Sequence, residues 1–120
     1  MNLNDFDDHV SIAIQLLIRG EMPPLMVEVR LDPVILGRYD PEAMKQPEID
    51  LTKYNAHEDG VSRLHAELLL HEDRVCVQDL SSRNGTYVNN EKLAPYIEHP
   101  LYDGDWLKLG RLKILINFLD

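Results

Sequence analysis

Three short, separated motifs carry the side chains of this 120-residue chain that could do chemistry. They are Gly37-Arg38, then Ser62-Arg63-Leu64-His65, then Asn84-Gly85-Thr86 followed by Val88-Asn89. Each motif lies where a strand-like apolar run gives way to a loop. Together they supply two guanidinium groups, a hydroxyl and a primary amide. These are the donors that a protein needs to hold a phosphate monoester and the peptide that carries it.

Taken singly, two of the motifs have ordinary alternatives. Gly37 at a strand end frees the backbone to turn, and Arg38 could then grip two phosphate oxygens or simply be a surface arginine. Asn84-Gly85 could hold an extended ligand through the amide, or could be a plain hairpin turn.

The middle motif combines donors with a histidine. Ser62 and Arg63 can both donate to a phosphate. His65 starts the next strand, and residues three apart on an extended backbone point to opposite sides. We therefore expect His65 to point inward and to tie neighbouring loops together through its ring nitrogens, which is also what an ordinary half-buried histidine would do.

The same residues argue against catalysis. A hydrolase would need Ser62 and His65 in a nucleophile–base hydrogen bond, which opposed side-chain directions prevent, and no Gly-x-Ser-x-Gly elbow is present. The five histidines match no zinc spacing: His9, His57, His65, His71 and His99. The sequence thus predicts a protein that is not an enzyme and uses no metal or cofactor.

The composition argues against two classes of binding partner, nucleic acids and membrane surfaces. A net charge of −9 and a pI near 4.9 are the opposite of what nucleic-acid or membrane-surface binding requires. Cys76 is the only cysteine, so no internal disulfide can form. We expect a cytoplasmic protein. Its acidity should slow association with an anionic ligand without abolishing it, because distant carboxylates are screened beyond roughly 8 Å at physiological salt.

The apolar pattern alternates with a period of two over most of the chain, which predicts many short strands and an all-β antiparallel sandwich or barrel. The alternating runs lie at 10–18, 25–31, 34–36, 66–70, 75–77, 87–88, 92–93, 106–109 and 112–118. The segment 39–61 reads instead as a long acidic loop with one short strand near Ile49. Residues 1–8 read as a flexible acidic tail before a domain over 9–120.

Combined in this order, Gly-Arg, Ser-Arg-x-His and Asn-Gly-Thr-x-Val-Asn resemble the forkhead-associated (FHA) family of phosphothreonine-binding modules, over about residues 10–118. The resemblance implies an eleven-stranded β-sandwich with ligand-binding loops at one end. It assigns phosphate or peptide binding to Arg38, Ser62, Arg63, Arg83 and Asn84. It assigns support of those loops to Gly37, His65, Gly85, Thr86 and Asn89.

The implied function is recognition of phosphothreonine-containing partner proteins in Ser/Thr kinase signalling, the partner being a kinase or its substrate. The alternative is a phosphate-independent interaction scaffold on the same fold, which the acidic segment 39–61 favours. Two departures bear on this choice. Leu64 stands where many bacterial relatives carry a second arginine, and the segment 39–61 is longer than is common. That segment also brings Asp40, Glu42, Glu58 and Asp59 close to the presumed site.

Overall fold

Two β-sheets packed face to face make up the computed structural model, which describes residues 10–119. The predicted tail at 1–8 lies outside the described residues. The strands are β1 (Ile12–Ile18), β2 (Leu25–Val29), β3 (Val34–Gly37), β4 (Ile49–Asp50), β5 (Leu64–His71), β6 (Arg74–Asp79), β7 (Thr86–Val88), β8 (Glu91–Lys92), β9 (His99–Pro100), β10 (Trp106–Leu109) and β11 (Leu112–Phe118). One 3-10 turn spans Thr52–Tyr54. Within residues 10–119, no helix has the length and apolar character to cross a membrane.

The sheet topology confirms the predicted all-β sandwich. Six strands form one sheet in the order β2-β1-β11-β10-β7-β8, and five form the other in the order β4-β3-β5-β6-β9. Neighbours pair antiparallel except β3 and β4, where Leu36 faces Ile49 in a parallel pair. Eleven strands in the described residues equal the number that the family resemblance implied.

Alternation places one face of each long strand in the core. Ile14, Leu16 and Ile18 of β1 are at most 1% exposed, while the residues between them are half-buried on the outer face. Leu107 and Leu109 of β10 are buried in the same way. Because β-branched and aliphatic side chains pack well on a pleated surface, this pattern both forms the strands and joins the two sheets.

The segment 39–61 is more ordered than the predicted long loop. The short strand expected near Ile49 is present as β4, and Leu51, Tyr54 and Ala56 are buried in the core. Their spacing follows neither a strand nor a helix period, so the sequence pattern gave no sign of their burial. The segment therefore rests on the sandwich as a packed layer beside the end of β3.

Most strand ends are shifted by one or two residues from the alternating runs, and β2 and β9 show the cause most clearly. β2 ends at Val29, and Leu31, which continues the apolar pattern, is 51% exposed because the chain has already begun to turn. The 99–100 segment, read as loop, forms the edge strand β9 against Cys76 and Val77. Pro100 is compatible with this position because an edge strand leaves one side unpaired.

We expect Leu51→Ala to lower the free energy of unfolding by about 2–5 kcal/mol, the usual loss for emptying a fully buried leucine site. Leu51 is 0% exposed although it lies in the irregular segment 39–61. Urea denaturation measures the effect. Leu31→Ala is the matched control and should stay within about 0.5 kcal/mol of wild type. Equal effects of the two substitutions would contradict the packing described for this segment.

Candidate functional site

Gly37 allows the end of β3 to approach the neighbouring loop very closely. A Cβ at this position would lie 1.9 Å from the backbone oxygen of Arg63, so only glycine fits. The backbone N–H of Arg38 donates to the same oxygen at 3.2 Å. Arg38 Nε donates to the carbonyl of Val61 at 2.8 Å, which leaves the two terminal nitrogens of the guanidinium to reach outward beside Ser62.

His65 joins two of the loops from inside. Its ring is 0% exposed. Nδ1 accepts a hydrogen bond from the backbone N–H of Ser62 at 2.9 Å, and Nε2 lies 2.9 Å from the carbonyl of Gly85. These partners require the neutral tautomer with its proton on Nε2. Burial lowers the pKa of His65 below its ordinary value, although the hydrogen bond to Gly85 works in the opposite direction.

Asp79 organises the loop between β6 and β7, a role that was not predicted from the sequence. The carboxylate is 3% exposed, and its Oδ1 accepts hydrogen bonds from Ser82 Oγ at 2.5 Å and Thr86 Oγ1 at 2.7 Å. Ser82 Oγ in turn accepts from the backbone N–H of Gly85 at 3.0 Å. The available signal was an aspartate at a strand end with a serine three residues on, a common turn arrangement.

Ser62 and Asn84 are held by the backbone of adjacent loops. Ser62 Oγ accepts a hydrogen bond from the backbone N–H of Arg83 at 3.1 Å, which leaves its hydroxyl proton to donate elsewhere. Asn84 Nδ2 donates to the carbonyl of Gly60 at 2.9 Å. Gly60 has a φ of +82°, and a Cβ there would come within 2.5 Å of Asn84 Nδ2. The loop that holds Asn84 therefore needs glycine at position 60.

One open cleft brings four of the five predicted binding residues together. Its volume is about 330 Å³, and Arg38, Ser62, Arg83 and Asn84 all line it. An adjoining cleft of about 510 Å³ shares Arg38 and Ser62 with the first and adds Arg63. The five residues therefore lie around one continuous surface at the end of the sandwich.

Arg63 differs from Arg38 and Arg83 because it forms a salt bridge within the domain. Asp40 Oδ2 lies 3.0 Å from Arg63 Nη1. The backbone N–H of Glu42, together with the Arg63 side chain, lowers the pKa of Asp40, so this carboxylate is charged at neutral pH. Arg38 and Arg83 form no salt bridge within residues 10–119. Asp40 thus offsets the charge of Arg63 most directly, whereas Arg38 and Arg83 have no ion-pair partner among these residues.

The other three acidic residues expected near the site, Glu42, Glu58 and Asp59, line neither cleft. Asp59 pairs with Arg19 at 2.8 Å, and the backbone carbonyl of Glu58 accepts from Arg111. The exposed Glu42 contributes its backbone N–H to Asp40. Of the four acidic residues expected near the site, only Asp40 contacts one of the predicted binding residues.

Comparison with known proteins agrees with this geometry. A family model described as FHA domain matches residues 34–110. The chain belongs to the FHA domain family. The resemblance read from the three motifs is thereby confirmed, and the matched region contains every residue of the two clefts.

Similar proteins extend this comparison beyond the matched region. Protein FraH of Nostoc sp. is 36% identical over 99 residues, which cover 82% of this chain but 31% of FraH. An FHA domain of Arabidopsis thaliana superimposes with a TM-score of 0.72 at 27% identity and covers 92% of this chain and 88% of that one. An FHA domain analysed for phosphothreonine-dependent interactions superimposes with a TM-score of 0.67 at 27% identity. The match covers 90% of this chain and 98% of that one. The chain spans about a third of the length of FraH.

Two of the predicted supporting residues of this FHA domain lie at different distances from the clefts. Thr86 is fully buried behind them and bonded to Asp79. Asn89 lies further along: its Nδ2 donates to Asp105 at 3.0 Å, and its Oδ1 accepts from the backbone N–H of Trp106 at 3.0 Å. Asn89 therefore holds the start of β10 and lines neither cleft.

The geometry around Ser62 bears on the hydrolase alternative. His65 Nδ1 takes the backbone N–H of Ser62, and the hydroxyl is bonded to Arg83, so serine and imidazole do not form a nucleophile–base pair. Among residues 10–119, no three His, Cys, Asp or Glu side chains form a group that could hold a metal ion.

We expect the domain to lose stability as pH falls below 6.5, the ordinary pKa of histidine. Burial lowers the pKa of His65 in the folded state, so the unfolded chain takes up the proton first, and each pH unit in this window costs at most about 1.4 kcal/mol. Thermal unfolding at pH 7.5 and 5.0 measures the loss. His65→Gln should show a smaller pH dependence on top of a lower melting temperature.

His57→Gln is the control for that experiment because His57 is exposed. This variant should retain the wild-type pH dependence. If His65→Gln and wild type lost the same number of degrees between the two pH values, the titration of the buried ring would not be the cause.

Proposed function

We propose that this FHA domain binds a phosphothreonine-containing segment of a partner protein. The observation that carries the proposal is the single cleft lined by Arg38, Ser62, Arg83 and Asn84. Two guanidinium groups, a hydroxyl and a carboxamide around one opening match the acceptors of a phosphate and of the peptide next to it. Phosphothreonine-dependent interaction of a similar FHA domain supports threonine as the phosphorylated residue.

Each side chain has a donor or acceptor to offer the ligand. Arg38 uses Nε for Val61, so its terminal nitrogens can take two phosphate oxygens. Ser62 accepts from Arg83, so its hydroxyl proton can go to a third oxygen. Asn84 donates through Nδ2 to Gly60, so its Oδ1 can accept a main-chain N–H of the peptide. Arg63 contributes from the adjoining cleft once the anion competes with Asp40.

Local charge explains how an acidic domain attracts an anion. The domain carries a net charge of −9, but two arginines of the cleft have no carboxylate partner among the described residues. Phosphorylation adds a charge approaching −2 and three strong acceptors. At contact distance this attraction exceeds the screened repulsion from carboxylates more than roughly 8 Å away. The proposed partner is a Ser/Thr kinase or a substrate of one.

A phosphate-independent scaffold is the second candidate. It is supported by the segment 39–61, which packs firmly on the sandwich yet leaves Met44 and Tyr39 largely exposed beside the clefts. Such apolar side chains on a well-packed segment could bind a partner without phosphate. Titrating one peptide with and without phosphate on its threonine separates the two functions, since equal affinity would favour the scaffold.

Arg38→Ala should weaken binding of a phosphothreonine peptide by at least about 1.5–3 kcal/mol, the usual loss for a charged hydrogen bond. Ser62→Ala and Asn84→Ala should weaken it as well, with the fold intact. Isothermal titration calorimetry measures each affinity, and wild-type affinity should fall as salt rises.

The matched control is Arg30→Ala. Arg30 pairs with Glu28 on β2, outside both clefts, so its removal should leave binding unchanged. Wild-type affinity in Arg38→Ala, or an affinity that did not respond to salt, would count against the site.

Asp40→Asn should strengthen phosphopeptide binding roughly two- to fivefold. The substitution removes the charge that offsets Arg63 while keeping a side-chain oxygen for the backbone N–H of Glu42. Fluorescence anisotropy with a labelled phosphothreonine peptide measures the change. Glu42→Gln removes the same charge from the same loop without touching Arg63 and should have a smaller effect. Unchanged affinity in Asp40→Asn would mean that Arg63 takes no part in binding.

A further inference from the structure

A row of cations crosses the outer face of the six-stranded sheet. Strand register places Lys113 opposite Lys108, Lys108 opposite Tyr87, and Tyr87 opposite Lys92. Arg19 extends the row on the other side, since its backbone N–H donates to the carbonyl of Lys113. Core residues alternate with these positions along the strands, so the row points away from the core. We call these five residues, which are four cations and Tyr87, the basic row.

The basic row is electrostatically unfavourable in the free domain. Lys108 and Lys113 are directly opposed on neighbouring strands, an arrangement that destabilises a sheet. None of the three lysines forms a salt bridge with a described carboxylate, although Lys108 Nζ lies 4.6 Å from the centre of the Tyr87 ring. Arg19, by contrast, is paired with Asp59 and with Glu21. Three of the five lysines of a chain with net charge −9 are thus gathered without counter-ions.

An apolar row runs parallel to the basic row, two residues further along the strands. Leu17 lies opposite Leu115, and Leu115 lies opposite Trp106. Trp106 is 51% exposed and stands between two grooves of about 340 and 360 Å³, both of which Lys113 also lines. Tryptophan, tyrosine and arginine are the residue types that most often carry binding energy at interfaces.

From these two rows we infer that the outer face of this sheet binds an acidic amphipathic segment of a partner protein. A segment lying across the strands would set its carboxylates against the basic row and its apolar side chains against Trp106, Leu115 and Leu17. Burying the apolar side supplies affinity, and the cations fix orientation. This surface is distinct from the phosphate cleft and does not depend on Arg38.

Charge complementarity selects this occupant. A nucleic acid presents dense charge along its whole length and would meet the repulsion of the acidic domain, whereas a short segment meets only the local cations. The face combines lysines without salt-bridge partners among the described residues with the half-exposed Trp106, so carboxylates beside apolar side chains on one protein segment fit it.

Trp106 is the only tryptophan, so its fluorescence reports directly on this face. The probe is a synthetic unphosphorylated 15-residue helix-forming peptide with glutamates along one side and leucines along the other. We expect a saturable shift of Trp106 emission that weakens as salt rises, and no shift with the same peptide carrying lysine for glutamate. Lys108→Glu/Lys113→Glu should weaken binding at least about tenfold, as like charges replace opposite ones.

Matched variants separate this surface from the phosphate cleft. Lys53→Glu changes a lysine outside both rows and should bind the acidic peptide like wild type. Arg38→Ala should also bind it like wild type. Lys108→Ala/Lys113→Ala repeats the test with a milder change if charge reversal perturbs folding.

Three results would overturn the inference. They are the absence of a saturable response to the acidic peptide, wild-type affinity in both lysine double variants, and tighter binding of a single-stranded oligonucleotide or of phosphatidylserine vesicles than of the peptide. Each would leave the phosphothreonine proposal standing, because that proposal is tested through Arg38.

Discussion

The loops at the end of the sandwich depend on one buried imidazole. His65 accepts from the backbone N–H of Ser62 and donates to the carbonyl of Gly85, so a single ring fixes the distance between two backbone groups that are 23 residues apart in the chain. The ring thereby gives the backbone N–H of Ser62 its acceptor, and it shares the Gly85 carbonyl with the backbone N–H of Gly110. The position of the Ser62 hydroxyl and of the Asn84 amide follows from this bridge, because each side chain leaves the backbone next to one of its two anchors.

Close contacts between backbone segments also shape these loops, and glycines make them possible. Gly37 lets β3 meet the carbonyl of Arg63, and Gly60 makes room for Asn84. Gly110, at the hairpin between β10 and β11, donates from its N–H to the carbonyl of Gly85 and would clash with Asp59 if it carried a Cβ. These close main-chain contacts act together with the buried side chains of His65 and Asp79 to fix the shape of the cleft.

The strands are predictable from the sequence where apolar and polar residues alternate regularly. β1, β5, β10 and β11 follow directly from apolar residues at every second position, and the ordered motifs identified the family. The packing of segment 39–61 was not predicted because Leu51 and Tyr54 are buried by tertiary contacts, which leave no periodic pattern in the sequence. The role of Asp79 was not predicted for a related reason. In the sequence, an aspartate at a strand end is the same whether its carboxylate faces solvent or accepts hydrogen bonds from Ser82 and Thr86. The Asp40–Arg63 pair joins residues far apart in the chain, and spacing alone cannot reveal such a pair.

The pairing of β1 with β11 has a consequence for the way this domain can be joined to other chains. Ile14 lies opposite Phe118, so the first and last described strands meet at one end of the sheet. Arg19, at the other end of β1, contacts Asp59 beside the cleft loops. The chain therefore enters β1 and leaves β11 about 20 Å from those loops, at 3.3 Å per strand residue. A connection made to either of these strand ends would leave the cleft loops uncovered.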